Sequence, residues 1–421
     1  MREESRNSNL DGPVRTGHCE SNQGTSRRPL LESYDPVERN CQLRLPDFNR
    51  TPSLTFLLLI LSAPVLHPTA SSAGEDNRSH DQAIVMDGYT FENWSAYVQS
   101  DYFRDNGRRC GTPDRETREM LFGSASAPVP SDCSSSSTNP TSDYAPGSRL
   151  EIPVVVHVLM DNTCTNGVIS DAMVQSQIDI LNEDFLALAG SNGAGGTDAQ
   201  IQFALATEDP DGHATNGITR TCNTLWFNDS GSYWNTLAWD PNRYLNIYTN
   251  TASGALGYVP FLPADAGGSL VGELSDRVVI LWSAFGRDSS AAPYDQGRTA
   301  THEVGHYLGL EHTFNPQGAC GDENPPGCYG SGDLICDTLP QASPNFGCPV
   351  SADSCGTSDP FHNYMDYTED LCMEEFTVEQ SRRTRCSLEH YRPDLAVVAA
   401  EVIFSDGFES GDSSSWTSSI P

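Results

Sequence analysis

The sequence predicts an α+β domain, with α/β as the other reading of the same element order, set behind export and linker segments. Three observations carry this. Glu151 to Met160 (EIPVVVHVLM) is a nearly continuous apolar run, the pattern of a strand covered on both faces. Ser170 can cap a helix in which Val174, Ile178, Leu181 and Phe185 form one apolar stripe. Arg277 to Trp282 (RVVILW) is a second buried-strand pattern, followed by a loop and a helix rich in histidine. Ile201 to Ala206 and Tyr244 to Tyr248 read as further strands, and His157 reads as a core histidine satisfied within the first one. A strand, a helix, more strands and a helix across them place any site at the edge of the sheet. From 313 to 393 the periodicity fades and Cys, Gly, Pro and Asp crowd together, so disulfides and ions are expected to replace an apolar core there.

The flanks organise the rest of the 421 residues. Phe56 to Leu61 (FLLLIL) is a short apolar core preceded by Arg50 and followed by small residues to Ala73, which resembles a secretory signal. It is too short and too broken by proline to span a bilayer. Residues 1–73 are therefore assigned to an N-terminal extension and signal, 74–148 to a polar segment with a Ser/Pro-rich linker, 149–393 to the main folded domain and 394–421 to a polar tail. The fifty polar residues ahead of the signal read as an upstream start-site assignment, absent from the mature protein. Acidic residues outnumber basic ones 57 to 24, a net charge of −33 that disfavours nucleic acid and anionic membrane as partners. Every basic residue is arginine, which reads as coding bias. Thirteen cysteines without a CxxC pair point to an oxidising compartment and a disulfide framework.

Chemistry concentrates in Thr299 to His312, TATHEVGHYLGLEH, which holds three of the ten histidines. His302 and His306, four apart, share one helical face and can direct two imidazoles at one ion. A continuing helix carries His312 too far away. Gly309 can take positive φ, end the helix and turn the chain back. Three imidazoles leave one position open, the pattern of a catalytic rather than a structural zinc site. Glu303 faces another direction, where it can accept a proton from water at the metal.

HEVGHYLGLEH has the HExxHxxGxxH signature of the metzincin zinc peptidases, which also need a methionine turn; Asn363 to Thr368 (NYMDYT) supplies Met365. Together with HTF after His312, GDLICDT at 332–338, FGCP at 346–349, FTVEQ at 376–380, and IPVVVHV, QIDILNEDF and NGITR upstream, it resembles the pappalysin family, especially the small microbial, ulilysin-like members. The likeness covers roughly residues 104 to 390. It implies a metzincin-type domain: a twisted, mostly parallel sheet, with a backing helix and an active-site helix above a cleft. Below lies an irregular subdomain stabilised by disulfides and calcium. It further implies Tyr367 as oxyanion donor, Met365 as packing beneath the metal, and calcium on the carboxylate of Asp333 and the main-chain oxygens of Ile335 and Thr338. Disulfides Cys328–Cys355 and Cys348–Cys372 follow from the same likeness, with Cys320, Cys336 and Cys386 as departures from it.

Latency and specificity complete the expectations. Without the signal, 13 − 2 = 11 cysteines remain, an odd number, so at least one lies outside intramolecular disulfides. Cys110, between Arg109 and Gly111, matches the place where related enzymes hold a pro-segment thiolate on the zinc; pairing with Cys133 is the plainer possibility. Asp370 matches the base of the pocket for the residue after the scissile bond. A carboxylate there pairs with guanidinium, so cleavage before arginine, and less readily lysine, is expected. Ser148-Arg149, between linker and first core strand, would then be the autolytic bond. The resulting picture is a secreted, monomeric zinc endopeptidase acting on protein or peptide substrates. A zinc- and calcium-binding adhesion module without activity is the alternative, and it would be expected to lack Glu303 or Tyr367.

Overall fold

In the computed structural model the described residues are 83–106, 108–123 and 142–399. The expected signal, most of the linker with Cys133, and most of the C-terminal tail lie outside them. The described chain opens with an antiparallel hairpin, β1 (Ile84–Met86) and β2 (Tyr89–Phe91). Three short helices follow: α1 (Trp94–Val98), α2 (Asp101–Asp105) and α3 (Arg115–Phe122). Asn93, Ser100 and Asp114 start them, each accepting a bond from a backbone N–H of the first turn. Trp94, Tyr97, Val98 and Phe103 are buried in the main hydrophobic core, so this segment shares that core with the sheet.

The predicted first strand is β3 (Leu150–Met160), whose inner residues are almost wholly buried. The predicted helix is α4 (Asp171–Phe185), capped by Ser170 and burying Val174, Ile178, Leu181 and Phe185 as expected. After it come β4 (Ile201–Leu205), β5 (Ile218–Cys222), α5 (Thr224–Phe227), α6 (Trp234–Leu237) and β6 (Leu245–Asn250). β7 (Gly257–Tyr258) and β8 (Val278–Leu281) finish this half, and α7 (Arg298–Tyr307) is the histidine helix. The sheet order is β4-β3-β6-β8-β7, with β5 continuing β4's side of the long β3. Strands β3, β4, β5, β6 and β8 run parallel, as βαβ connections require, while β7 is an antiparallel edge. His157 is buried on β3 and bonded to Thr219 and Asn246 at 2.8 and 3.0 Å, a core histidine as expected.

Beyond α7 the chain is irregular until α8 (Val378–Tyr391), which starts with a capping box of Thr377 and Gln380. Then β9 (Val397–Val398) returns to pair with the start of β3, and Leu395 is buried. The folded unit therefore runs past 393, the boundary the composition suggested. One expected disulfide pairing is wrong and one is right. Cys348 pairs with Cys372, but Cys328 pairs with Cys336 and Cys355 with Cys320. The short loop between 328 and 336 brings its two Cα atoms to 5.2 Å, within bridging range, and Cys320 takes the place beside Cys355 at 5.7 Å. A fourth bridge, Cys164–Cys222, ties the loop after β3 to the end of β5, and Cys386 is also disulfide-bonded.

Candidate active site

His302 and His306 project from α7, and Gly309, at φ 93°, turns the chain so that His312 returns to them. A Cβ on Gly309 would meet Ser387 Oγ at 2.5 Å, a second reason for glycine there. The Nε2 atom of His306 lies 3.2 Å from that of His302 and 3.0 Å from that of His312. Nδ1 of His302 donates to the Tyr364 carbonyl at 2.6 Å, and Nδ1 of His306 to the Leu310 carbonyl at 2.7 Å. These bonds leave the Nε2 lone pairs facing one point. Burial pushes His306 down to about 4 and His302 and His312 well below the usual range, so all three are neutral, the form that binds a cation.

Cys110 is a buried free thiol, not the partner of another cysteine. Its sulfur lies 3.7 Å from His306 Nε2 and 3.5 Å from Glu303 Oε2. One donor atom from each of Cys110, His302, His306 and His312 falls within 4.8 Å of every other, the donor set and compactness of a four-coordinate zinc site. Glu303 Oε2 also accepts from Thr112 Oγ1 at 3.1 Å, while Oε1 is buried without a hydrogen bond. Burial raises the Glu303 carboxyl to about 7, against the pull of Cys110, Arg109 and Thr112. The Tyr367 ring stands 5.8 Å from His302 and 5.1 Å from His312, and burial, then Cys110 and Glu303, push its phenol well above the usual range. Met365 packs below: a Cβ on Gly305 would meet its sulfur at 2.6 Å, so the glycine inside HEVGH admits the methionine. Gly305 carried no distinct signal in the motif alone.

Asp370 is fully buried. One of its oxygens accepts the backbone N–H groups of Gln296 and Arg298 at 2.9 and 3.1 Å, satisfying a donor at the start of α7. The other lies 3.7 Å from the guanidinium of Arg109, which is itself buried, bonded to Thr299 Oγ1 at 3.2 Å and set over the Tyr294 ring. Arg109 was singled out in sequence only as a neighbour of Cys110. Its segment also lies along the sheet edge: Leu256 N–H bonds to Arg108 O at 3.0 Å and Gly111 N–H to Gly257 O at 2.8 Å. Farther along, Arg118 of α3 forms ion pairs with Asp265 at 3.0 Å and Glu311 at 2.5 Å, and Arg115 reaches Glu311 at 3.3 Å. Burial alone would raise Glu311; the two arginines hold it down to about 2. Sequence reasoning missed this cluster, because nothing in the local pattern of α3 marks a partner nearly 200 residues away.

Asp333 is buried, and its carboxylate accepts from Ile335 N–H at 3.2 Å and from Thr338 Oγ1 at 2.9 and 2.8 Å. The Thr338 hydroxyl also reaches the Ile335 main-chain oxygen, at 3.3 Å. Leu334 between them is held at φ 65°, an unusual conformation for a bulky residue, and burial raises Asp333 to about 7. Ser148 and Arg149 are exposed.

With this geometry in place, comparison with known proteins identifies the family. A peptidase family model described as pregnancy-associated plasma protein-A matches residues 228–389. An extracellular metalloprotease of Pyricularia oryzae is 37% identical over 296 residues, covering 68% of this chain and 91% of that protein. Extracellular metalloprotease 1 of Coccidioides posadasii is 37% identical over 249 residues, covering 58% and 78%. The solved structure of a promirolysin mutant from Tannerella forsythia is 39% identical, with a TM-score of 0.50 over 60% of this chain and 85% of that one. The chain belongs to the pappalysin family and is an extracellular metalloprotease acting on peptide or protein substrates.

Proposed function

We propose that the protein is a zinc endopeptidase made as a latent precursor, which cuts before arginine and releases its own catalytic domain. The gathering of three neutral imidazoles and one thiol around a single point, with the free oxygen of Glu303 alongside, carries this reading. His302, His306 and His312 would hold zinc, which would supply a Lewis acid to polarise the scissile carbonyl and acidify water. Glu303 takes the proton of the attacking water and later delivers it to the leaving amine. Tyr367 donates its hydroxyl to the oxygen that gains charge as the carbonyl carbon becomes tetrahedral.

Cys110 occupies the fourth position in the latent form. Burial raises its thiol, and a metal on the imidazoles would favour the thiolate. Arg109 on Asp370 supports the specificity: a segment lying in the cleft puts a guanidinium where a substrate arginine would go. Severing Ser148-Arg149, exposed and just ahead of β3, would detach the pro-segment from the catalytic chain. Calcium is assigned to Asp333, Ile335 and Thr338, where a constrained loop gathers oxygen donors about a buried carboxylate.

Casein cleavage by the processed protein should stop on adding EDTA and return with zinc. Cleavage unaffected by chelation would overturn the zinc mechanism. A Cys110→Ala precursor should activate faster than the parent, and unchanged latency would remove the thiol from the zinc site.

A further inference from the structure

Asp184, near the end of α4, is a buried carboxylate that the chemistry above does not use. Three donors converge on it: Thr301 Oγ1 at 2.6 Å, the Tyr364 hydroxyl at 2.8 Å and the Arg298 guanidinium at 3.2 Å. They come from α7 and from the methionine turn. Thr301 directly precedes His302 on α7. Tyr364 directly precedes Met365, and its carbonyl receives Nδ1–H of His302 at 2.6 Å. Arg298 gives its backbone N–H to Asp370. The Tyr364 hydroxyl is walled in as well, since a Cβ on Gly193 would stand 2.9 Å from it.

We propose that Asp184 is a positioning residue for the metal site: through Tyr364 it fixes the carbonyl that orients the His302 imidazole and selects its tautomer. The inference rests on the zinc reading above. Its physical basis is that a ligating histidine is aimed by the group receiving its other N–H, and that group must itself be held. Here the carbonyl sits on a turn without regular secondary structure, and the side chain of the same residue is tied to a charged, fully desolvated acceptor. A carboxylate is suited to the position because it accepts three donors and brings none of its own. The same anion offsets Arg298 at the start of α7, so one group aligns the helix and the methionine turn with each other.

The test uses the full chain in a Glu303→Ala background, which keeps the precursor whole, with zinc affinity measured by chelator competition. Asp184→Ala should weaken zinc binding about 10- to 100-fold, the usual effect of losing such an outer partner. Tyr364→Phe, which removes only the hydroxyl, should weaken it in the same direction by a smaller factor. The double variant should be no weaker than Asp184→Ala alone, because both changes break the same bond. The visible absorption of the cobalt-loaded chain should shift in each variant. A merely structural carboxylate would lower the melting temperature and leave zinc affinity and the cobalt spectrum unchanged; that result would overturn the proposal. If Asp184→Ala does not fold, Tyr364→Phe decides alone, and zinc affinity within twofold of the background counts against it. A background chain that binds no zinc refutes the zinc reading itself; one that binds zinc as tightly as the variants refutes only the role of Asp184.

Discussion

The two halves of the catalytic unit are built by different means. Residues 150 to 310 hold a parallel sheet whose central strands, β3, β6 and β8, are almost entirely buried, and most of the main core belongs to them. Between 313 and 377 the described chain has only short helical turns, and three disulfides bind it: Cys320–Cys355, Cys328–Cys336 and Cys348–Cys372. Its buried residues include many polar ones: Asp333, Thr338, Asp359, Asn363, Asp366, Thr368 and Asp370. The first half follows from apolar patterning and rigidly presents α7. The second is held by covalent and polar links, and it carries Asp370, Tyr367 and the Asp333 loop, to which the proposal above gives arginine specificity, oxyanion binding and calcium. A packed region and a stapled one should respond differently to perturbation.

The largest effect is expected in the first half. Glu303→Ala should retain one zinc per chain, since the three ligands remain, and lose activity by on the order of 10⁴-fold. Full activity with normal zinc content would remove Glu303 from the reaction. In the second half, Asp370→Ala should lower kcat/KM for cleavage before arginine by roughly 100-fold or more while sparing apolar residues at that position. Arginine preference surviving this change would take Asp370 out of the pocket. Tyr367→Phe should cost between about ten- and a thousandfold in kcat, as one oxyanion donor among several contributors.

Stability experiments sharpen the same contrast. Ile247→Ala, at a fully buried position on β6, should cost about 2–5 kcal/mol whether or not reductant is present. Reductant alone should mainly loosen 313–377, seen as faster hydrogen exchange there than in β3. Uniform loosening of both regions would erase the distinction. The smallest effect concerns calcium. Burial raises Asp333 above its unfolded value to about 7, so without a cation the fold loses stability as pH rises from about 4 through 7. Calcium needs the ionised carboxylate, so the gain in Tm on adding calcium to calcium-free, zinc-loaded protein should be a few degrees at pH 8 and less at pH 5. An equal gain at both values would exclude Asp333 as the ligand.

The contrast also explains what was legible in the sequence. β3, α4 and α7 follow from periods of residues adjacent in the chain, and Gly309 from the need to bring His312 back. Tyr367 and Met365 sit beside the histidines, where the family likeness implied them. Asp184 was hidden because its partners, Thr301 and Tyr364, lie 117 and 180 positions away and α4 needs no carboxylate there. Arg118 escaped for the same reason. The pairing of Cys320, Cys328, Cys336 and Cys355 depends on how a chain without periodicity folds over itself, which spacing does not determine.

The most direct test of the central claim is the mature N-terminus. Purified precursor, wild type and Glu303→Ala, would be incubated with zinc and calcium, and the products read by intact mass and N-terminal sequencing. A wild-type product beginning at Arg149, with the Glu303→Ala chain left whole, is the predicted result. A product beginning elsewhere than at an arginine, or the same processing in Glu303→Ala, would contradict a self-activating peptidase that cuts before arginine.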